Sequence, residues 1–157
     1  MKGATIRAAI ARDREAIVGF NLAMARETED RGLDRDVLSR GVENAIADPG
    51  QGRYFVAEVD GELVGCLLLT TEWSDWRDGW FWWIQSVYVV ASHRGRGVYA
   101  SLHRHVRDRA RAMHDVVGLR LYVERENTRA QATYRRLGMR ETSYLLYEET
   151  FRASSAI

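Results

Sequence analysis

The chain has 157 residues, of which 46% are hydrophobic, and its 23 basic and 22 acidic side chains leave a formal net charge of +1. This length predicts a single domain over residues 1–157 that buries about two-thirds of the surface exposed by the unfolded chain. The balanced charge provides no field that would attract nucleic acid or an anionic membrane, so we expect neither as a partner.

The single cysteine, Cys66, cannot form an internal disulfide, which is typical of a protein from a reducing compartment. It lies in an apolar, strand-like run, a position that favours a small core residue over a nucleophile. The N-terminal residues lack the apolar core of a secretory signal, and no apolar run approaches the length of a membrane span. We therefore expect a cytoplasmic protein. The four histidines do not have metal-ligand spacing, so no metal site is predicted.

Hydrophobic periodicity changes along the chain between the spacing of strands and the spacing of helices. The order predicts an α/β fold with a single mixed, mostly antiparallel central sheet flanked by helices on both faces. The first half of the chain is expected to contain a strand at 4–8, a helix capped by Asp13, a helix from Asp34 to a stop at 48–50, and strands at 54–59 and 63–70 joined by an Asp60-Gly61 turn.

The second half is expected to contain a strand at 80–90, a helix from Val98, a strand at 117–123, a helix from Asn127 closed by a left-handed Gly138, and a final strand that includes 144–147. The helix from Val98 is expected to have a buried stripe formed by Leu102, Val106, Ala110 and Met113.

All five tryptophans lie between positions 73 and 83, around an Asp78-Gly79 pair that predicts a second hairpin turn. They form either a core and interface cluster or an aromatic pocket for an amine, with Trp80 and Trp82 packed and Trp73 and Trp76 more exposed. The strand after the turn is apolar on both alternating faces, so it is predicted to be central and covered on both sides. One face is expected to carry Phe81, Trp83, Gln85, Val87 and Val89, and the other Trp80, Trp82, Ile84 and Tyr88.

The stretch 86–99 has the pattern of an anion-binding turn, in which a β-branched strand ends and two glycines open a helical segment. The first N–H groups of a helix have no intrahelical partner and carry the positive end of the helix dipole, so they attract phosphate. Gly95 and Gly97 remove Cβ atoms that would hold a diphosphate away, and Arg94 and Arg96 add positive charge. An Arg-Gly-rich loop is also an ordinary solvated turn, so this pattern alone leaves both interpretations open.

Two motifs at the expected separation resemble the GNAT superfamily of acetyl-CoA-dependent N-acetyltransferases. The first motif is Arg or Gln, two residues, Gly, one residue, and then Gly or Ala after a strand, and residues 94–99 occupy it. Its last position departs from the pattern, because Tyr99 carries a side chain that must point away from the cofactor. The second motif is matched by Asn127, Ala130, Tyr134 and the Leu-Gly-Met sequence at 137–139. The resemblance as a whole covers about positions 4–150.

The resemblance implies an acetyltransferase that uses acetyl-CoA as its acyl donor. In known members the central strand pairs with the pantetheine arm like an added strand, the turn amides hold the diphosphate, and the Asn touches the cofactor arm. Carried onto this chain, the implied cofactor-binding positions are Val87, Tyr88, Val89, Arg94, Gly95, Arg96, Gly97, Val98, Tyr99, Ala100, Asn127 and Tyr134.

Acetyl transfer to an amine requires a neutral amine, a polarised carbonyl and a proton for the departing thiolate. An alkyl ammonium has a pKa near ~10, so a base or a dry pocket must first remove a proton. Tyr134 follows Asn127 by seven residues, or two helical turns, so the two are expected to share a face. Tyr134 is then placed to protonate the thiolate, whose pKa lies near ~8.5. The alternative is a core tyrosine that packs the helix on the sheet.

The base is less determined by the sequence. Glu72 is the first choice, because it borders the Trp-rich hairpin, where aromatic walls would exclude water. Gln85 is an alternative that would orient a water. The other carboxylates that could act directly or through water, or could simply be solvated, are Glu27, Glu29, Asp75 and Asp78.

Two functions of different class fit these residues. One is an N-acetyltransferase for a primary amine of a small molecule, peptide or protein, acting by direct attack within a ternary complex. The other is a non-catalytic acyl-CoA-binding or sensing module. Tyr134 favours the enzyme, and a Rossmann-type nucleotide site is disfavoured because no acidic residue follows the glycines at the expected distance. The sequence leaves the acceptor open and is compatible with a homodimer.

Overall fold

The computed structural model describes residues 3–29 and 32–152. No helix in this part of the chain is both long enough and apolar enough to cross a membrane. Short 3-10 turns precede α1, β4 and the glycine-containing turn. The described residues form strands β1 (Thr5–Ala8), β2 (Arg53–Val59), β3 (Glu62–Ser74), β4 (Gly79–Val89) and β5 (Val116–Arg120), and helices α1 (Arg14–Glu29), α2 (Arg35–Ala47), α3 (Val98–Ala112) and α4 (Thr128–Arg136).

The strands form one sheet in the order β1-β2-β3-β4-β5. The first three pairings are antiparallel, whereas β4 and β5 are parallel because α3 crosses over between them. Helices α1 and α2 pack on one face of the sheet, and α3 packs on the other. The predicted class, a mixed and mostly antiparallel sheet with helices on both faces, is confirmed.

Each face of the sheet has its own apolar core. Ile17 of α1 and Val42 of α2 pack against the first face, together with Cys66 of β3. Leu102 and Val106 of α3 pack against the second face, and Ala110 continues the predicted stripe. Fully burying one such aliphatic side chain stabilises the fold by about 1.5–3 kcal/mol. Burial raises the pKa of the Cys66 thiol to about 12, so this cysteine is the inert core residue that the sequence predicts.

The predicted helix start at Asp34 and two predicted positive-φ turns are confirmed. Asp34 caps α2, and its Oδ1 accepts hydrogen bonds at 2.9 and 3.1 Å from two amides of the first turn. Asp60 and Gly61 have φ angles of +50° and +84°, as a tight hairpin turn between β2 and β3 requires. Gly138 follows α4 with a φ of +93°, where a residue without Cβ is favoured.

Asp13 does not cap α1, contrary to the prediction. It ends a 3-10 turn before α1 and is only 4% exposed. Its carboxylate accepts hydrogen bonds from Arg7 Nη1 at 2.7 Å, from Arg7 Nη2 at 3.0 Å and from the Ile10 amide at 2.8 Å. A buried carboxylate needs such partners, so Asp13 ties β1 to the start of the helical layer. The hydrogen bonds from Arg7 hold the pKa of Asp13 below its usual value.

The predicted final strand is not formed. Residues 139–152 contain neither helix nor strand, and the large apolar side chains at 144–147 are exposed. The fifth strand also ends at Arg120 rather than at 123, and Met113 lies just beyond α3 and is half exposed instead of lying in its buried stripe. A strand forms where a neighbour accepts and donates its backbone hydrogen bonds, and residues 139–152 have no such neighbour within the described chain.

Candidate active site

A bulge interrupts β4 at Ser86, and the residue pattern gives no sign of it. Ser86 has a φ of +49°, which is uncommon for a residue with a side chain. The pairing with β3 jumps at this point from Gln85 opposite Leu68 to Tyr88 opposite Cys66. One extra residue in β4 therefore bends the strand and reverses the alternation of its side chains.

The reversal changes which face each side chain occupies. Ile84, Val87 and Val89 all pack with the core under α3, whereas Tyr88 packs with the core under α1 and α2. Gln85 hydrogen-bonds to Thr70 Oγ1 at 2.6 Å and does not share a face with Val87. The prediction that placed Val87 and Val89 on the face of Phe81, Trp83 and Gln85 is therefore wrong. The prediction that placed Tyr88 on the face of Trp80, Trp82 and Ile84 is wrong for the same reason.

The second half of β4 has a free edge. Parallel pairing with β5 runs from Trp80 to Trp83, and β5 then ends at Arg120. Between 84 and 89, β4 has β3 on one side and no strand on the other within the described residues. An extended ligand can pair with such an edge as an added strand. This edge includes residues 87–89, which the resemblance assigns to the pantetheine arm.

The N-terminus of α3 follows the end of β4 and has free amides. The first backbone hydrogen bond of α3 runs from the Ser101 amide to the Gly97 carbonyl at 3.0 Å. The amides of residues 95–100 donate to no acceptor in the described part of the chain. Gly95 and Gly97 have φ angles of +73° and +78°, and a Cβ on either would meet no atom within 4 Å. The positive φ angles favour glycine at both positions, and the open space beside them has room for a diphosphate held by backbone amides.

Arg94 is held by neighbouring groups of the protein. Its Nη2 donates to Glu27 Oε2 at 2.6 Å, and its Nε donates to the Val89 carbonyl at 2.9 Å. Tyr88 donates its hydroxyl to Glu27 Oε1 at 3.1 Å, and burial and this carboxylate raise the pKa of Tyr88. Glu27 therefore links α1 to the end of β4 and to the turn. Arg96 is exposed and forms no ion pair in the described residues, so it is the arginine of this turn that is free to contact phosphate.

Tyr134 lies beside the first turn of α3. Its ring meets the ring of Tyr99 edge-on, with the centroids 5.7 Å apart. The Tyr99 hydroxyl lies 3.3 Å from Nδ1 of His103, whose pKa is lowered by burial and by nearby Arg107. The Tyr99 side chain thus points into the protein, as its position in the motif requires. Burial raises the pKa of Tyr134, so its phenol keeps a proton to donate at neutral pH.

Asn127 is exposed and caps α4. Its Oδ1 accepts a hydrogen bond from the Ala130 amide at 3.1 Å. The Nδ2 group of Asn127 donates to no acceptor in the described chain, so it can donate to a ligand. Asn127 precedes the helix, which begins at Thr128. The predicted helical face shared by Asn127 and Tyr134 therefore applies only to Tyr134, which lies within α4.

Glu72 is not brought next to the segment 87–89. It lies six residues along β3 from Cys66, the partner of Tyr88, which corresponds to about 20 Å at roughly 3.3 Å per residue. Its carboxylate accepts a hydrogen bond from Arg120 Nη1 at 2.6 Å. The structure therefore presents Glu72 as a carboxylate already paired with a cation, at a distance from the end of β4.

The other candidate bases are dispersed. Glu27 contacts the end of β4, as described above, and is the one described candidate that touches a predicted binding residue. Asp75 accepts from the Trp76 amide at 2.9 Å in the exposed hairpin turn, and Asp78 adopts a left-handed conformation there with a φ of +49°. The side chain of Glu29 lies outside the described residues.

The tryptophans divide as predicted. Trp82 is buried, and Trp80 packs against the core under α3. Trp76 is 86% exposed and Trp73 is 47% exposed, although Trp73 touches Trp80 edge-on with centroids 5.0 Å apart. Gly79 is needed for close approach, because a Cβ there would lie 2.6 Å from Val117 Cγ1. The exposed pair leaves an aromatic surface at the end of the hairpin.

Two contacts of this site were missed by sequence reasoning. Glu27 was predicted to be either a base or a solvated carboxylate, yet it holds Arg94 and Tyr88 from 67 and 61 residues away in sequence. His103 was not singled out, although its spacing of one helical turn from Tyr99 would have indicated a shared face. No signal in the sequence marks the left-handed conformation of Ser86.

The model of the acetyltransferase (GNAT) family matches residues 10–139 of this chain. The match spans most of the chain, and the chain belongs to the GNAT acetyltransferase family. No curated protein matches it. The protein is accordingly an acyltransferase enzyme.

Solved structures agree with this assignment. A possible acetyltransferase from Clostridium difficile 630 is 41% identical, with a TM-score of 0.89 over 96% of this chain and 99% of that one. A ribosomal-protein-alanine N-acetyltransferase from Brucella melitensis biovar Abortus 2308 is 20% identical, with a TM-score of 0.75 over 95% of this chain and 99% of that one. AAC(6')-Iy, solved with a CoA-containing bisubstrate analogue, is 18% identical, with a TM-score of 0.75 over 96% of this chain and 100% of that one. The last two share the fold.

Proposed function

We propose that the protein transfers an acetyl group from acetyl-CoA to a primary amine of a small molecule, peptide or protein, by direct attack of the amine within a ternary complex. The observation that carries this proposal is the row of amides at 95–100, which have no acceptor among the described residues and adjoin open space at Gly95 and Gly97. A diphosphate supplies acceptors to such a row. The CoA-containing ligand of AAC(6')-Iy supports the same class of donor.

The remaining donor contacts follow from the free groups around the turn. Residues 87–89 offer an unpaired strand edge to the pantetheine arm, and Arg96 offers an exposed guanidinium to phosphate. Asn127 offers its Nδ2, which donates to no acceptor in the described part of the chain, to a carbonyl of the arm. Arg94 contributes indirectly, because its hydrogen bond to Val89 fixes the start of the turn.

Tyr134 is proposed as the acid of the reaction. The donor supplies a thioester, and its sulfur leaves as a thiolate that needs a proton. The half-buried phenol beside the first turn of α3 is protonated at neutral pH, since burial raises its pKa. Donation from Tyr134 to the sulfur therefore completes the step without a strong acid.

The proton of the attacking ammonium is proposed to leave through water. A base must lie within about 3 Å of the proton that it abstracts, or reach it through water. Glu72 lies too far along β3 for direct contact with an amine at 87–89. It is therefore proposed to accept the proton through a chain of water molecules. Gln85 and Thr70 lie along the strands between Glu72 and residues 87–89, and a hydrogen bond of 2.6 Å joins them. These two polar side chains would order the water molecules.

The test combines calorimetry and an assay of thiol release. Wild-type protein is expected to bind CoA, and Gly97→Val is expected to weaken binding at least tenfold by placing a side chain against the diphosphate. Gly61→Val is the matched control, because Gly61 also has a positive φ and open space but lies in the β2–β3 turn. Equal CoA affinity in Gly97→Val and Gly61→Val would refute the placement of the diphosphate.

The acceptor is identified with the same assay. Acetyl-CoA is offered with polyamines, aminoglycosides, amino acids and N-terminal peptides, and thiol release is expected with one class. Tight CoA binding without thiol release for any amine would contradict the proposed transfer and would favour an acyl-CoA sensor.

The buried, unpaired thiol of Cys66 supports a reducing compartment, the cytoplasm, as the proposed location.

A further inference from the structure

The free edge of β4 stops where β5 begins to pair with it. Parallel pairing with β5 occupies the edge from Trp80 to Trp83, and from Ile84 onwards no described strand lies beside it. The turn assigned to the diphosphate contacts the other end of this edge, because Arg94 donates to the Val89 carbonyl at 2.9 Å. The pantetheine arm of the donor therefore runs back along β4 from residue 89 towards Trp83.

The length of the pantetheine arm brings the thioester close to the closed part of the edge. About thirteen bonds separate the sulfur of CoA from its diphosphate, and a residue contributes three backbone bonds, so the arm is as long as about four extended residues. An arm that begins beside residue 89 is thus expected to end beside residue 85. The acyl group continues from there towards Trp83.

One face of β4 is filled at this point. Trp82 and Ile84 lie in the core under α3, where they are 8% and 3% exposed. Protein interiors are close-packed, so an acyl chain has no room on this face. Trp83 lies between these two residues in the strand, and its side chain points to the opposite face. The space for the acyl group is therefore on the face of Trp83.

The face of Trp83 carries an aromatic pair. The rings of Trp83 and Tyr122 have their centroids 6.2 Å apart, within the range of aromatic contacts. Tyr122 follows the end of β5, so the pair bridges the two strands where their pairing stops. Trp83 is partly buried, whereas Tyr122 is 62% exposed. We name this pair the aromatic wall (Trp83 and Tyr122).

A polar contact bounds the same space towards β3. Thr70 is the β3 partner of Trp83, and its Oγ1 accepts the 2.6 Å hydrogen bond from Gln85. The space beyond residue 85 is thus bounded by this hydrogen bond on one side and by the aromatic wall on two others. The attacking amine must then reach the thioester from outside the sheet.

We infer, on the basis of the proposed function, that the aromatic wall limits the transferred acyl group to acetyl. A two-carbon group ends before the Trp83 ring. A longer chain either meets this ring, where extra methylenes in a packed site are unfavourable, or turns outwards into the path of the amine. Both arrangements slow the transfer of butyryl relative to acetyl. Hydrophobic sites discriminate by about 10–200-fold for one methylene.

The first test compares the kcat/KM of acetyl-CoA with that of butyryl-CoA, using the amine that the thiol-release assay identifies. The ratio is measured within each protein, so it does not depend on the amount of active enzyme. Wild type is expected to prefer acetyl-CoA at least 30-fold. Trp83→Ala is expected to reduce this preference at least tenfold, and Tyr122→Ala at least threefold, because each opens the wall.

Trp73→Ala is the matched control for the two wall variants. Trp73 is also a partly exposed tryptophan in an aromatic pair, but its partner Trp80 packs on the face of α3. This variant is expected to keep the wild-type preference within twofold. An equal loss of preference in Trp73→Ala and Trp83→Ala would show general loosening of the hairpin and would overturn the inference.

Calorimetry with the same two donors gives a readout that needs no acceptor. In Trp83→Ala the butyryl chain can bury its extra methylenes in the vacated space. The ratio of the Kd of butyryl-CoA to that of acetyl-CoA is therefore expected to fall at least fivefold from wild type to Trp83→Ala. Tyr122→Ala is expected to lower it at least twofold, and this mostly exposed side chain can be removed without unfolding the core.

The outcomes separate this inference from the proposed function. Absence of thiol release with every amine would refute the transfer, and the calorimetric ratios would still decide whether the aromatic wall limits the acyl group. Efficient acetyl transfer by a wild type that uses butyryl-CoA equally well would overturn the inference and leave the transfer intact. Kd ratios that neither Trp83→Ala nor Tyr122→Ala changes would overturn it as well.

Discussion

The rings of Tyr99 and Tyr134 meet edge-on with their centroids 5.7 Å apart, so the residue that departs from the family motif supports the proposed acid. Tyr99 offers its backbone amide towards the turn, while its side chain points into the protein and contacts His103. A tyrosine at this position is thus compatible with the open turn, and it fixes one side of the Tyr134 ring.

Tyr99→Ala is expected to lower kcat by about two- to tenfold. An aromatic pair is worth about 0.5–1.5 kcal/mol, and loss of that energy from the orientation of Tyr134 corresponds to this factor. The affinity for CoA should not change, because only the backbone of residue 99 faces the turn. Tyr99→Phe keeps the ring and is expected within twofold of wild type. Steady-state kinetics and calorimetry on both variants measure kcat and the affinity for CoA. Equal kcat for wild type, Tyr99→Ala and Tyr99→Phe would exclude a role of Tyr99 in orienting Tyr134.

Tyr134→Phe is expected to lower kcat about 100-fold, within the range of general acid catalysis, and to leave the Kd of CoA unchanged. The phenyl ring preserves the contact with Tyr99, so a loss of rate reports on the hydroxyl. Single-turnover acetyl transfer at saturating donor measures the chemical step. A wild-type rate in this variant removes Tyr134 from the mechanism.

The pH profile of kcat follows from the direction of the pKa shift. Burial raises the pKa of Tyr134, so its proton stays bound to higher pH than on a free tyrosine, near 10. We expect no fall in kcat caused by Tyr134 between pH 7 and about 10. A descending limb below that pH which disappears in Tyr134→Phe would contradict the assignment. The assay must follow acetylated product, because thiol reagents respond to pH themselves.

Glu27→Gln is expected to raise the KM for acetyl-CoA about three- to tenfold with little change in kcat. The substitution removes the charge that holds Arg94 at 2.6 Å, and this pair is nearly half exposed, so its contribution is of the order of 1 kcal/mol. Glu15→Gln is the matched control, since Glu15 forms exposed ion pairs away from the turn. A fall in kcat at unchanged KM would instead indicate that Glu27 acts as the base.

Asp13→Asn is expected to destabilise the protein by about 2–4 kcal/mol at pH 7, because it leaves the Arg7 guanidinium without its buried partner. Arg7 lowers the pKa of Asp13 in the folded state. The stabilisation is therefore present above the ordinary pKa of 3.8 and is lost as pH falls through the lower folded value. Urea unfolding at pH 7 and at pH 3 should show a large difference between wild type and variant at the first pH and a smaller one at the second. An equal difference at both would contradict the charge argument.

Much of the fold follows from local sequence. The Asp60-Gly61 turn, the helix start at Asp34 and the left-handed Gly138 were predicted because each depends on the residue's own conformational preference. Asp13 was misread because its residue type suits a cap as well as a buried ion pair. Only the position of Arg7 in β1 distinguishes the two.

The site was predictable where a motif fixes a backbone conformation. Gly95, Gly97 and the start of α3 were located from the sequence, as was Tyr134 on the following helix. The role of Glu72 could not be judged, because its distance from the end of β4 depends on the register between β3 and β4. The partner of Arg94 was equally hidden, since Glu27 lies on another layer of the fold.

The sequence by itself determined where the helices, the tight turns and the first five strands occur, because periodicity, caps and positive φ angles act over a few neighbouring residues. The tertiary structure alone decided which face Val87 occupies, which cation Glu72 holds and whether residues 144–147 find a strand to pair with. These outcomes depend on contacts between segments far apart in the chain. A single bulge at Ser86 reverses a face, and a strand needs a neighbour that its own pattern cannot supply.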